Sequence, residues 1–104
     1  MIYIYNKLVR DNIVKIIEDK GSKAKYEILD IQRYGEELDN KLKEEVNEYI
    51  KDHSIEEIAD ILEVIYAILE HKGITIEEVE KARIEKRDKK GSFKNKVFLI
   101  DVEE

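Results

Sequence analysis

Apolar residues recur at helical spacing through the middle of the chain. Between residues 31 and 51, Leu38, Leu42, Val46, Tyr49 and Ile50 follow one another at steps of three, four or one, which places them on one side of an α-helix. The following stretch shows the pattern more strongly. Ile58, Ile61, Leu62, Ile65, Ile68 and Leu69 come after Ser54 and Glu57, a pair spaced as a capping box, and Gly73 stands where such a helix should stop. Thr75 and Glu78 repeat the box and open a third helix reaching about Lys89. Its far end gathers Arg83, Lys86, Arg87, Lys89 and Lys90, which suit the negative end of a helix dipole. Near the start, Asp11 is placed to cap a shorter helix that runs to about Lys20 and is stopped by Gly21. Three short β-prone runs, 2–5, 26–29 and 97–100, predict strands, the last two able to pair. The pattern as a whole predicts one mainly α domain over residues 1–104, a helical bundle with a small β-hairpin or short sheet.

Composition narrows the possible partners. With 42% charged and 42% apolar residues, the chain has enough apolar surface to offset its conformational entropy and should fold. A domain of 104 residues buries only part of its surface alone, so a homo-oligomer, dimer or tetramer, is expected, with helices from two chains completing the core. The net charge of -6 argues against nucleic acid, whose binding needs basic surfaces; a polyphosphate would need bridging cations. There is no Cys, no secretory leader pattern and no apolar run near the ~18 residues of a membrane span, so the expected location is the cytoplasm. Pro is absent, and four glycines are too few for linkers or a Gly-rich phosphate loop.

Most acids of so charged a chain solvate helix faces; a few break that rule. At about 100° per residue, Glu57 projects inside the apolar arc of its helix, between Val64 and Ile68, with Asp60 at the edge. Glu56 and Glu63 fall on the water side. In the preceding helix Glu45 projects between Leu38 and Tyr34, and Glu48 lies at the edge on the same side. An ionised carboxylate turned toward a core is costly unless a cation or hydrogen bonds satisfy it, and four converging carboxylates repel one another without a metal. All-oxygen ligands suit Mg²⁺, with Mn²⁺ the other candidate. Two observations favour a plainer origin: Glu57 is also the third residue of a capping box, and Asp39, an ordinary acid, projects into the same apolar arc.

Glu44-Glu45-Val46-Asn47-Glu48, followed by Glu57-Ile58-Ala59-Asp60, resembles the EExxE…ExxD pair of the all-α, MazG-like NTP pyrophosphatase superfamily. Tyr5-Asn6-Lys7-Leu8-Val9-Arg10-Asp11 and Lys90-Gly91-Ser92-Phe93 are further similar to its compact, phosphoribosyl-ATP pyrophosphohydrolase-like subgroup. The resemblance implies Glu45, Glu48, Glu57 and Asp60 as metal ligands and Glu44 as a helper or occasional ligand. It also implies that Lys7, Arg10, Lys86, Arg87 and Lys90 face substrate phosphates. The chain departs from the subgroup in having Val14 where a Pro is usual, Asn12 for a customary Lys, and Lys90-Gly91 for Arg-Gly. A Lys there offers a point charge instead of a bidentate fork.

The activity so implied is Mg²⁺-dependent hydrolysis of a nucleoside triphosphate between its α and β phosphates, in a nucleotide house-cleaning role. Phosphoribosyl-ATP cleavage is the alternative within enzymes. A helical interaction module, its acids paired with lysines, is the alternative outside them. No Cys nucleophile, HExxH or P-loop competes, and His53 and His71 read as capping or surface residues. Tyr34, Tyr49, Tyr66 and Phe93 serve equally as base-stacking or core residues.

Overall fold

The structure, a computed structural model, describes residues 1–104 and contains four helices and no strand. They are α1 (Ile13–Asp19), α2 (Ile31–Asp52), α3 (Ile55–Lys72) and α4 (Ile76–Lys90). No helix is long and apolar enough to cross a membrane.

Each long helix begins where its sequence provides an oxygen for a free backbone N–H. Asp30 accepts from the Arg33 N–H at α2, Ser54 from the Glu57 N–H at α3, and Thr75 from the Glu78 N–H at α4. Only at α4 is the box complete, the Glu78 carboxylate accepting from the Thr75 N–H at 3.1 Å. At α3 the Glu57 carboxylate makes no such return, a correction to the reciprocal box expected there. Helix α1 also starts differently: its N-cap is Asn12, without a side-chain bond, and not Asp11. Glycines stand at the stops of α3 and α4: Gly73 ends α3 at φ +70, a conformation that other residues adopt at a cost.

Helices α2 and α3 form an antiparallel hairpin joined by His53 and Ser54 alone, with His53 in the left-handed region at φ 52. Their shared face holds the core: Leu38 and Val64, 2% and 8% exposed, are its two buried residues. At its open end Gly35 makes room for His71. A Cβ on Gly35 would stand 2.7 Å from His71 Nε2, and the imidazole meets the Tyr34 ring edge-on at 5.3 Å. α2 with α3 is the one helix pair that packs extensively.

The predicted sheet does not form within the chain. Residues 2–5, 26–29 and 97–100 are without regular structure, and no backbone hydrogen bond joins them. A strand is stable only through pairing. Here residues 26–29 feed directly into the Asp30 cap of α2, while residues 97–100 follow a helix that does not fold back on the hairpin. The molecule is correspondingly drawn out, 61 × 31 × 26 Å, with a radius of gyration of 18.5 Å against about 13 Å for a compact chain of this length.

Candidate metal centre

The acids gather on the shared face of the hairpin because one-turn spacing repeats on both helices. Glu45 and Glu48 lie one turn apart on α2, and Glu57 and Asp60 one turn apart on α3. Carboxylate oxygens of Glu45, Glu57 and Asp60 lie within 4.8 Å of one another, and so do those of Glu48, Asp52 and Glu57. Glu57 therefore joins the two groups. Glu45 is well covered, its side chain 12% exposed.

Glu57 carries the strongest electrostatic signature in the molecule. Its Oε2 is closed to solvent and has no hydrogen-bond partner. Burial first, then a hydrogen bond with Glu45 and repulsion from Glu45, Asp60 and Glu48, push its carboxyl up to about 7. An acid so placed lacks a positive counterpart. The donor set around it is oxygen only, in more than one carboxylate, which fits a hard divalent cation such as Mg²⁺.

Cations stand at the rim of this cluster. The segment before α1, turned at Asn6 by its left-handed φ of 46, lays two basic residues against the hairpin. Lys7 Nζ donates to Glu44 Oε1 at 2.7 Å, and Arg10 Nη2 donates to Asp60 Oδ1 at 2.7 Å, with Arg10 Nη1 3.9 Å from Glu63. Lys41 reaches Glu44 at 3.1 Å and Glu45 at 3.4 Å. Burial of Glu44 opposes its ionisation, but the hydrogen bonds from Lys7 and Lys41 outweigh it and hold its carboxyl below the usual range. The bond to Glu44 raises the Lys7 ammonium in turn. An open cavity of about 360 Å³ lies beside these groups, lined by Asn6, Lys7, Asn40, Lys41 and Glu44 among others.

Glu45, Glu48, Glu57 and Asp60 are thus brought together, with Lys7 and Arg10 beside them. Glu44 stands one step away, engaged by lysines and outside both acid groups. Lys86, Arg87 and Lys90 are not brought there: they are exposed on α4, and no ion pair ties them to the acids, because α4 does not pack along the hairpin within the chain. Asp39, projected into the apolar arc, is exposed.

Asp52 was not legible as a member, although it follows Glu48 by four residues on the same side of α2. Of the two histidines, His53 is the C-cap of α2, its ring 5.1 Å from Tyr49, and His71 packs on Tyr34. Phe93 is exposed and so is no core residue of the single chain.

Compared with known protein families, curated proteins and solved structures, the chain matches none. The chemistry of the site accordingly rests on its own side chains.

Proposed function

We propose that the chain is a Mg²⁺-dependent nucleoside triphosphate pyrophosphohydrolase of the MazG-like kind, releasing a nucleoside monophosphate and pyrophosphate. The observation that carries this reading is the buried, unpartnered Oε2 of Glu57 at the junction of two carboxylate groups. Acids that merely solvate a helix would turn to water, and an acid that merely caps would turn to the Ser54 N–H.

In this reading Glu45, Glu48, Glu57 and Asp60 hold the cation, with Asp52 able to contribute from the side of Glu48. When bound, Mg²⁺ supplies neutralisation of the polyphosphate charge and a water of lowered pKa. The chain's own residues do the rest. A carboxylate left free by the cation accepts the proton of the attacking water. Lys7 and Arg10, whose donors already reach the rim of the cluster, turn to phosphate oxygens and stabilise the charge leaving on pyrophosphate. Lys41 holds Glu44 and Glu45 in place.

We also propose that the working form is a homo-oligomer, since one copy leaves most of its large apolar residues exposed. The Cys-free composition suits a reducing compartment, and we place the reaction in the cytoplasm.

The test is pyrophosphate release from a panel of canonical and modified nucleoside triphosphates and phosphoribosyl-ATP, with and without Mg²⁺, beside Asp60→Asn. Release that needs both Mg²⁺ and Asp60 is the expected result, and the preferred nucleotide names the substrate. No release from any substrate, with no rise in melting temperature on adding Mg²⁺, would favour the interaction module.

A further inference from the structure

Three cations stand against the acids of the hairpin, and one of them is held differently from the others. Lys7 and Arg10 reach in from the segment before α1, and their side chains are 40% and 55% exposed. Lys41 belongs to α2 itself, the helix that carries Glu44 and Glu45, and its side chain is only 16% exposed. Its Nζ lies 3.1 Å from Glu44 Oε2 and 3.4 Å from Glu45 Oε1, so one ammonium bridges two carboxylates. Lysine is seldom so covered unless it is paired. Helix spacing alone does not account for the contact, since a lysine that precedes its glutamate along the helix is the weaker order of such a pair. Glu44 is saturated by it: Lys7 donates to Oε1 and Lys41 to Oε2. Glu45 stands between Lys41 and the group that it forms with Glu57 and Asp60.

We propose that the Lys41 ammonium is a built-in cation that fills the position between Glu44 and Glu45, and so confines divalent cations to the acids that Glu45 shares with α3. This deepens the proposed site and rests on its metal-holding part, not on the identity of the substrate. A divalent cation ligated by both Glu44 and Glu45 would have to stand about 2.1 Å from their oxygens, in the space that the ammonium takes up, and two cations so close repel each other. Lys7 is free to follow a phosphate, because it reaches in from an irregular segment and its side chain is well exposed. Lys41 lacks that freedom. Its stem starts one turn before the acids on the same helix, and its departure would leave the covered carboxylate of Glu45 without this positive partner. Lys41 is therefore a positioning residue, which fixes the Glu45 carboxylate from one side while the divalent cation meets it from the other. Glu44 is then the counterion of two lysines and no metal ligand.

The test counts the Mn²⁺ ions bound per chain, by electron paramagnetic resonance of the free ion up to several millimolar, with helicity followed by circular dichroism. Lys41→Met should bind one more Mn²⁺ than the wild type, whatever the wild-type number, because Glu44 and Glu45 are then released to a further cation. Lys41→Arg, which keeps the charge, should keep the wild-type number. So should Lys15→Met, which removes a surface lysine paired with Asp19. Glu44→Gln alone should also keep it, and combined with Lys41→Met it should abolish the extra ion. An unchanged number in folded Lys41→Met would overturn the proposal. Loss of an ion in Glu44→Gln would overturn it too, and that measurement stands even where Lys41→Met does not fold. A wild type that binds no Mn²⁺ would overturn the metal-holding reading together with this one, whereas Mn²⁺ binding without pyrophosphate release would remove the hydrolase and leave Lys41 its role.

Discussion

Helices α3 and α4 open with the same four-residue device and put it to different use. At α4 the box closes: Thr75 accepts from the Glu78 N–H, and Glu78 accepts from the Thr75 N–H. At α3 Ser54 does its half at 3.3 Å, while the carboxylate of Glu57 goes to Glu45, Asp60 and Glu48 instead. The difference lies in what each helix packs against. α4 is polar on all sides and does not pack along the hairpin, so nothing draws Glu78 from its own backbone. The third residue of α3 projects at α2, whose own acids lie opposite. A capping sequence therefore states where a helix begins, and the neighbouring helix decides what the glutamate does.

That contrast can be broken or sharpened in several ways. The largest expected effect is on turnover: Asp60→Asn should lower Mg²⁺-dependent pyrophosphate release roughly 10³-fold, while Glu78→Gln leaves it unchanged. Equal losses in the two variants would erase the distinction between the helices. Next is the hairpin itself. Leu38→Ala, at the most buried position, should cost about 3 kcal/mol in urea unfolding, whereas Ile84→Ala on α4 should cost well under 1 kcal/mol. Removing the complete box by Thr75→Ala should cost about 1 kcal/mol, read as lost helicity and a lower melting temperature.

The pH dependence is smaller and has a definite sign. The ordinary value of a glutamate is 4.5, and folded Glu57 keeps its proton to about 7. Between these values the folded chain binds more protons than the unfolded one, so this group makes stability fall as pH rises through that window and level off above it. Without divalent cations, Glu57→Gln should remove that fall, and at pH 8 it should melt above the wild type. Glu44, held below 4.5, acts in the opposite direction and only as pH drops beneath that value. A Glu57→Gln melting curve parallel to wild type from pH 4.5 to 8 would mean that Glu57 is no more perturbed than a capping glutamate. The smallest effect is at Gly35. Gly35→Ala should be mildly destabilising because the new methyl meets His71, and should turn stabilising by about 0.5–1 kcal/mol when combined with His71→Ala, as for a glycine in any helix interior.

The long helices were legible because their signals are local. Period, cap and stop lie within a few residues of one another: α3 and α4 run within a residue or two of where Ser54, Thr75 and Gly73 place them, and α2 covers the stretch that its apolar period marks, although its Asp30 cap was not read from the sequence. The facing of Glu45 and Glu57 was legible for the same reason, since projection on a helix needs only its own sequence. What failed depended on something outside the element. Residues 97–100 are β-prone, but a strand needs a partner, and none pairs with them in the chain. Asp39 projected into the apolar arc by the same arithmetic as Glu45, but it lies beside Val46 and Ile50, on a side of α2 that stays exposed, whereas Glu45 lies beside Leu38, on the side that meets α3. Asp52 enters its acid group only because α3 returns beside the end of α2. The basic residues of α4 depend on packing that the chain does not make with itself.

The two-residue turn at His53 and Ser54 acts as a phase setting for the chemistry. The two halves of the acid cluster sit on helices whose relative rotation depends on how many residues separate them. One added residue would advance α3 by about 100° and carry Glu57 and Asp60 away from Glu45 and Glu48, even if both helices stayed intact. The left-handed backbone at His53, tolerated there without a glycine, belongs to the shortest link that keeps those halves in step. Ser54 serves this turn as the cap of α3, but the phase rests on the turn's length, so a gap or insertion there separates a chain that keeps the site from one that keeps only the helices.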